Sequence, residues 1–325
     1  MIARRTFCGA CIGGLLAGPR IALAQQAGRI PVVGVLITDS TFGLTLPALI
    51  NGLREIGYVD GKNIVVEIRS AGGKPEAFPG HAAELVQRKV DVLFAIGPAA
   101  VRASREASST VPIVAVDLES DPVQAGWVSS LARPGGNLTG FFLNLPSLAG
   151  KWLELLREAA PGSRRVGVLW DGATGSVQLS ALKVAAQRLA VDLYVMEFHS
   201  DSDLDAALGG GLNAGVRSIV ALSSPNVSLG SKQLAVFATK NRLPAISPFP
   251  RFAQAGGLLS YGPDQQDFFR RAALYVDKII KGARPGDLPI EQPTRFTLVI
   301  NLKTAKTLGL AIPQSLLLRA DEMIQ

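Results

Sequence analysis

The sequence predicts an α/β protein of two lobes, each built on a parallel sheet, joined by a hinge of crossing segments. Three observations predict it. From Arg29 onward, short β-branched runs alternate with longer amphipathic ones, and the alternation runs through two successive series. The tetrad Val33-Gly34-Val35-Leu36 returns 133 residues later (Val33 to Val166) as Val166-Gly167-Val168-Leu169, each time at the head of its series. A chain of 325 residues, 48% hydrophobic and 18% charged, is long enough to divide into two cores. Alternating strands and helices imply parallel pairing, because a parallel return needs a right-handed crossover.

In the first series, strands are expected at 31–37, 63–69, 90–96 and 112–117. Between the first two, "LTLPALINGLREIG" sets Leu46, Leu49, Ile50, Leu53 and Ile56 on one helical face, with Gly57 as a left-handed stop. The second series supplies strands at 166–170, 192–197, 218–222 and 244–247. Beyond it lie "GGLLSYGPD" and a helix over 264–281. Asp264 suits its N-cap, Phe268, Phe269, Ala272, Val276, Ile279 and Ile280 its buried face, and Gly282 its end. The leftover strand and helix are expected to complete the first lobe. That organisation gives an export signal at 1–24, one lobe from 30–142 with 258–284, and another from 146–250 with 292–325. Crossings fall near 138–146, 247–262 and 283–295.

The first 24 residues hold Arg4, Arg5 and Arg20 and no acidic residue. A basic start, an apolar run from Cys8 to Gly18, and small residues at Ala22-Leu23-Ala24 are the parts of a secretory signal. Arg-Arg-x-Phe resembles a twin-arginine address, although a general secretory signal can also begin with two arginines. The run is broken by Pro19-Arg20 and is shorter than the roughly 20 residues that span a bilayer. Cys8 and Cys11 have C-x-x-C spacing but no strand before them, which argues against a thioredoxin-like site. With cleavage after Ala24 the mature protein is expected in the periplasm, without cysteine.

Charge and motifs exclude several function classes. The formal charge of +7 falls to +4 without the first 24 residues, as 30 basic residues then face 26 acidic ones. The remaining Lys and Arg are scattered, so nucleic acid is set aside as a partner. His81 and His199, the only histidines, have no second ligand at i+3 or i+4, so no metal site is expected. "GGGLNA" at 209–214 fits G-x-G-x-x-A by letters but follows a helical segment and precedes a strand, the reverse of a dinucleotide fingerprint. The sequons at Asn137 and Asn226 are short enough to arise by chance, and neither a P-loop nor a G-x-S-x-G elbow occurs. No enzyme and no cofactor are expected.

Binding chemistry is expected beyond the carboxyl ends of the strands, where loops and helix starts gather in parallel sheets. The first lobe offers Thr38, Asp39 and Ser40, then Gly97, Pro98 and Ala99, then the stretch from Asp117 to Asp121. The second offers Trp170, Asp171 and Gly172, then Ser223, Ser224 and Asn226. Carboxylates there suit an amine, and Trp170 an apolar wall. Asp39, Asp121 and Ser224 suit ordinary caps equally well, and Trp170 a core position. Phe249 and Tyr261, near the crossings, complete the candidate set.

Four stretches carry a family resemblance: "NGLREIGYVDGKNIVVEIRSAGG", "DPVQAGWVSSLARPGGNLTGF", "AQAGGLLSYG" and "FTLVINLKTAKTLGLAIPQSLLLRADEMI". In this order they resemble the ABC transporter substrate-binding proteins related to tryptophan- and tyrosine-binding proteins. The resemblance implies a type I periplasmic binding protein fold, two Rossmann-like lobes joined by three crossings. It implies a small ligand, an amino acid or similar, trapped by hinge closure on the loops named above. It also implies a membrane permease and its ATPase as partners. The sequence departs from the family pattern at "WDGATGS", where members often carry an Asn-Pro-rich loop. Two other readings stand beside this one: a ligand-sensing module for a receptor kinase, and an exported α/β enzyme.

Overall fold

The computed structural model describes residues 29–38, 45–117 and 121–325, so the expected export signal lies outside the described residues. The first series runs β1 (Val32–Ile37), α1 (Thr45–Glu55), β2 (Val65–Ser70), α2 (Phe78–Gln87), β3 (Val92–Ile96), α3 (Pro98–Ala107), β4 (Ile113–Asp117) and β5 (Leu138–Phe142). The second begins with α4 (Ala149–Ala159), β6 (Arg165–Asp171), α5 (Val177–Leu189), β7 (Asp192–Phe198), α6 (Asp201–Asn213) and β8 (Ser218–Ala221). It continues through α7 (Pro225–Leu229), α8 (Ser231–Lys240), β9 (Ala245–Ser247), α9 (Pro250–Gln254) and β10 (Leu259–Pro263). The chain closes with α10 (Gln265–Ile280), β11 (Phe296–Asn301), α11 (Leu302–Thr307), α12 (Gln314–Leu317) and β12 (Glu322–Ile324). Each strand expected in the two series is present to within two residues at either end.

Pairing makes the duplication explicit. The first sheet has the order β2-β1-β3-β4-β5, all parallel, and the second β12-β11-β10-β9-β8-β6-β7. Within the second, β7-β6-β8-β9-β10 repeats the order of the first. The repeated tetrads are β1 and β6, each second from the β2 or β7 end of its five-strand unit. Their glycines answer the same packing demand. A Cβ on Gly34 would stand 2.9 Å from Leu85 Cδ1, and one on Gly167 2.7 Å from Met196 Cε. The tetrad is therefore kept open for the side chains that cover each sheet.

The leftover strand and helix part company. Leu259–Pro263, expected in the first lobe, pairs instead in the second sheet, parallel to β9 and antiparallel to β11. Its physical reason is the repeat itself, since β10 fills the position that β5 fills in the first sheet. The chain thus leaves the second sheet after Pro263 rather than within 247–262. Helix α10 does join the first sheet. Phe269 meets Phe94 of β3 with ring centroids 6.2 Å apart, and Phe268 meets Phe141 of β5 edge-on at 5.3 Å. Asp264 caps the helix through the Asp267 N–H at 3.1 Å, and Gly282 ends it with φ of 97°.

The segments between the sheets are tied down by hydrogen bonds and apolar contacts. One apolar cluster contains Val35, Phe94 and Phe269, then Phe141 and Leu145, then Trp152, Val168 and Ile300. Two further clusters cover the opposite face of each sheet. The return segment lies along β5: Phe142 N–H donates to the Glu291 carbonyl and Glu291 N–H to that of Gly140, both at 2.9 Å. The Tyr275 hydroxyl donates to Pro289 O and to Glu291, whose carboxylate also pairs with Arg271.

Candidate functional site

The parallel strands of both sheets deliver their C-terminal ends to one cavity of about 270 Å3. From the first series it is lined by Thr38 after β1 and by Gly97, Pro98 and Ala99 where β3 passes into α3. From the second come Asp171 at the end of β6 and Asn226 in α7. These six were all expected from the strand-end rule. Gly97 has φ of 84° and ψ of 162°, a region essentially restricted to glycine, and this sharp turn lets α3 start directly at the cavity wall.

Asp171 is the chemical centre of the second rim. Only 2% exposed, its carboxylate accepts from the Ala173 N–H and from Asn226 Nδ2, each at 3.0 Å, and is bonded by the Ser224 hydroxyl. Burial pushes its pKa above the ordinary aspartate value; the bonds from Ala173, Ser224 and Asn226, and the charge of His199, pull against that shift without reversing it. Ser224 also accepts from the Val227 N–H at 2.9 Å, so it caps α7 while steadying Asp171. Ser223 lies behind the rim. The buried Gln178 of α5 accepts from its N–H and donates to its carbonyl, both at 3.1 Å.

Other candidates serve the frame instead of the cavity. Trp170 precedes Asp171 on a strand, and successive side chains take opposite faces. Its indole N–H donates to Gly175 O at 3.0 Å and its ring packs on the shared apolar cluster, so it does not form the expected wall. Gly172 leaves room for the His199 ring, whose Cε1 lies 2.4 Å from where a Cβ would sit. Phe249 is a buried core residue. Tyr261 stacks on Phe296 at 6.0 Å, its carbonyl accepts from Trp152 Nε1 at 2.7 Å, and burial raises its phenol pKa. Asp121 accepts from the N–H groups of Val123 and Gln124 at 2.9 and 3.2 Å, an ordinary turn cap. Asp39 and Ser40 lie outside the described residues, as does the side chain of Asp117, whose backbone closes β4.

Sequence reasoning missed part of the lining. Gly73, Pro75 and Phe78 follow β2, an end to which the same strand-end rule applies. Arg102 lies one turn inside α3, beyond the Gly97–Ala99 turn. Ala173 and Thr174 directly follow the expected Asp171-Gly172 pair. Among the described residues, no cluster of three or more His, Cys, Asp or Glu is placed to hold a metal, and no helix is long and apolar enough to cross a membrane.

Known proteins share this fold. A solved structure of a conserved domain protein from Vibrio cholerae is 28% identical, with a TM-score of 0.85, covering 91% of this chain and 100% of that one. The L-Trp complex of a domain from Streptococcus pneumoniae is 24% identical, with a TM-score of 0.84 and the same coverage. The tyrosine-binding protein of Clostridioides difficile is 25% identical over 283 residues, 86% of this chain and 80% of that protein. The fold is that of type I periplasmic binding proteins. Residues 30–324 match the family model described as ABC transporter substrate binding protein, and the chain belongs to that family.

Proposed function

We propose that the protein is the extracytoplasmic solute-binding component of an ABC importer, capturing an amino acid, and specifically an aromatic one, by closing two lobes around it. The cavity carries this reading, because Thr38 and Gly97–Ala99 from one sheet face the same space as Asp171 and Asn226 from the other. Asp171, in its ionised form, supplies acceptors for a ligand ammonium, and Phe78 and Pro75 give apolar surface. The relatives that bind tyrosine and L-Trp support an aromatic side chain. In this reading lobe 1 takes β1 to β5 with α10, and lobe 2 the second sheet. The hinge lies at the three passages between them, near residues 143–148, 263–264 and 292–295. The export signal delivers the protein to the periplasm, where it meets a membrane permease that a cytoplasmic ATPase drives.

Closure follows if ligand touches both lobes in the closed form and only one in the open form. Calorimetric titration with the twenty L-amino acids tests the binding. Asp171→Asn is expected to weaken the bound one by about 10- to 100-fold, the weight of a charged hydrogen bond. Solution scattering tests the closure: the radius of gyration falls on saturation, and an unchanged profile rules that mechanism out.

A further inference from the structure

We propose that Arg102 is the anion-recognising residue of this cavity, so that the site selects a zwitterion whose carboxylate meets Arg102 while its ammonium meets Asp171. The inference rests on the solute-binding reading above and names the residue and charge pattern that decide what is bound.

Arg102 is the arginine among the residues that line the cavity, and its charge is not spent on a neighbour. Arg69, Arg88, Arg165, Arg270, Arg271 and Arg319 all sit in ion pairs. Arg102 makes no ion pair or hydrogen bond among the described residues, yet it lines the cavity. Among the described residues of the lining, Arg102 and Asp171 are the charged ones, one cation and one carboxylate contributed by opposite rims. Their chemistries do not overlap. A guanidinium only donates, in a planar fork that fits a carboxylate, and an ionised aspartate only accepts. A ligand complementary to both groups carries a carboxylate and an ammonium held apart.

The placement also couples recognition to closure. Arg102 belongs to α3 of the first series and Asp171 to β6 of the second. A ligand with both charges bridges the rims and gains more from the closed form than from the open one. A ligand with one charge engages one rim, and its differential affinity for the closed form is correspondingly small.

Calorimetry on the wild type, Arg102→Gln and Arg102→Lys, with the twenty L-amino acids and with tyramine and tryptamine, tests this. For the amino acid that binds the wild type, Arg102→Gln is expected to lose about 10- to 100-fold in affinity and Arg102→Lys to recover part of it. The two amines, lacking the carboxylate, bind the wild type and Arg102→Gln equally weakly. The melting temperature without ligand stays unchanged, since Arg102 is exposed and has no side-chain partner among the described residues. If Arg102→Gln binds the amino acid within threefold of the wild type while Asp171→Asn does not, the Arg102 assignment is overturned and the cavity reading stands. If no amino acid binds the wild type, both fall.

Discussion

The two rims of the cavity come from the same part of a repeated unit, yet they use their polar groups in opposite ways. On the second rim the groups bind one another: Asp171 holds Ala173, Ser224 and Asn226, Ser224 caps α7, and Gln178 holds both backbone groups of Ser223. On the first rim, the side chains of Thr38 and Arg102 make no hydrogen bond among the described residues. Among the described residues, one rim is organised in advance and the other leaves the Thr38 and Arg102 donors without acceptors. Substitutions on the second rim should therefore register in the protein alone, and those on the first mainly when ligand is present.

The strongest way to break that contrast is Gln178→Leu. The change leaves the Ser223 N–H and carbonyl without their partner in a dry environment, which is expected to cost about 2–4 kcal/mol of unfolding free energy. Arg102→Gln is expected to change it by less than about 0.5 kcal/mol, as exposed unpaired positions do. Urea unfolding of both variants without ligand checks the pair. Equal losses would mean that the rims are equally organised.

Gln178 also shows where sequence reading stops. The strand ends were legible because β-branched runs such as "VVGVLI" and "RVGVLW" announce themselves, and the strand-end rule then names Thr38, Gly97 and Asp171 without coordinates. The partner of Ser223 lies 45 residues away on a helix, and nothing in "SVQLSAL" marks one amide as buried. Trp170 fails for a related reason. An aromatic at a strand end looks like a ligand wall, and only the alternation of faces, anchored by Asp171, turns it to the frame. The assignment of β10 required the pairing itself, because "LLSYGP" fits the edge of either sheet. Arg102 lies past the strand-end loop, where the strand-end rule does not point, although one helical turn is well within reach of a long side chain.

A smaller and more local difference separates the two glycines. On the first rim, Gly97→Ala forces a side chain onto φ of 84° and ψ of 162°, a strain of about 1–3 kcal/mol that no neighbour can relieve. On the second, Gly172→Ala meets the His199 ring, which is 62% exposed and free to swing away from Glu197, at a cost of less than about 1 kcal/mol. Melting temperatures should rank them in that order. A larger loss at Gly172 would show that the His199 ring is held in place and belongs to the organised rim.

The narrowest effect is confined to a pH window and belongs to Asp171. Its folded-state pKa is raised by burial, so on going from low pH the unfolded chain ionises this aspartate first while the folded protein retains the proton. Between the ordinary aspartate value and the raised one, the folded form binds more protons, and stability therefore falls as pH rises through that window and then levels off. Asp171→Asn removes the titration and keeps an oxygen for the Ala173 N–H. Without ligand, the variant should gain on the wild type as pH rises from about 3 to 7. Its stability relative to the wild type, followed across that range by urea unfolding, is the measurement. A difference that stays flat would mean that Ser224, Asn226 and Ala173 fully offset the cost of burying the charge. The organised rim would then be a source of stability, not a strain held ready for an ammonium.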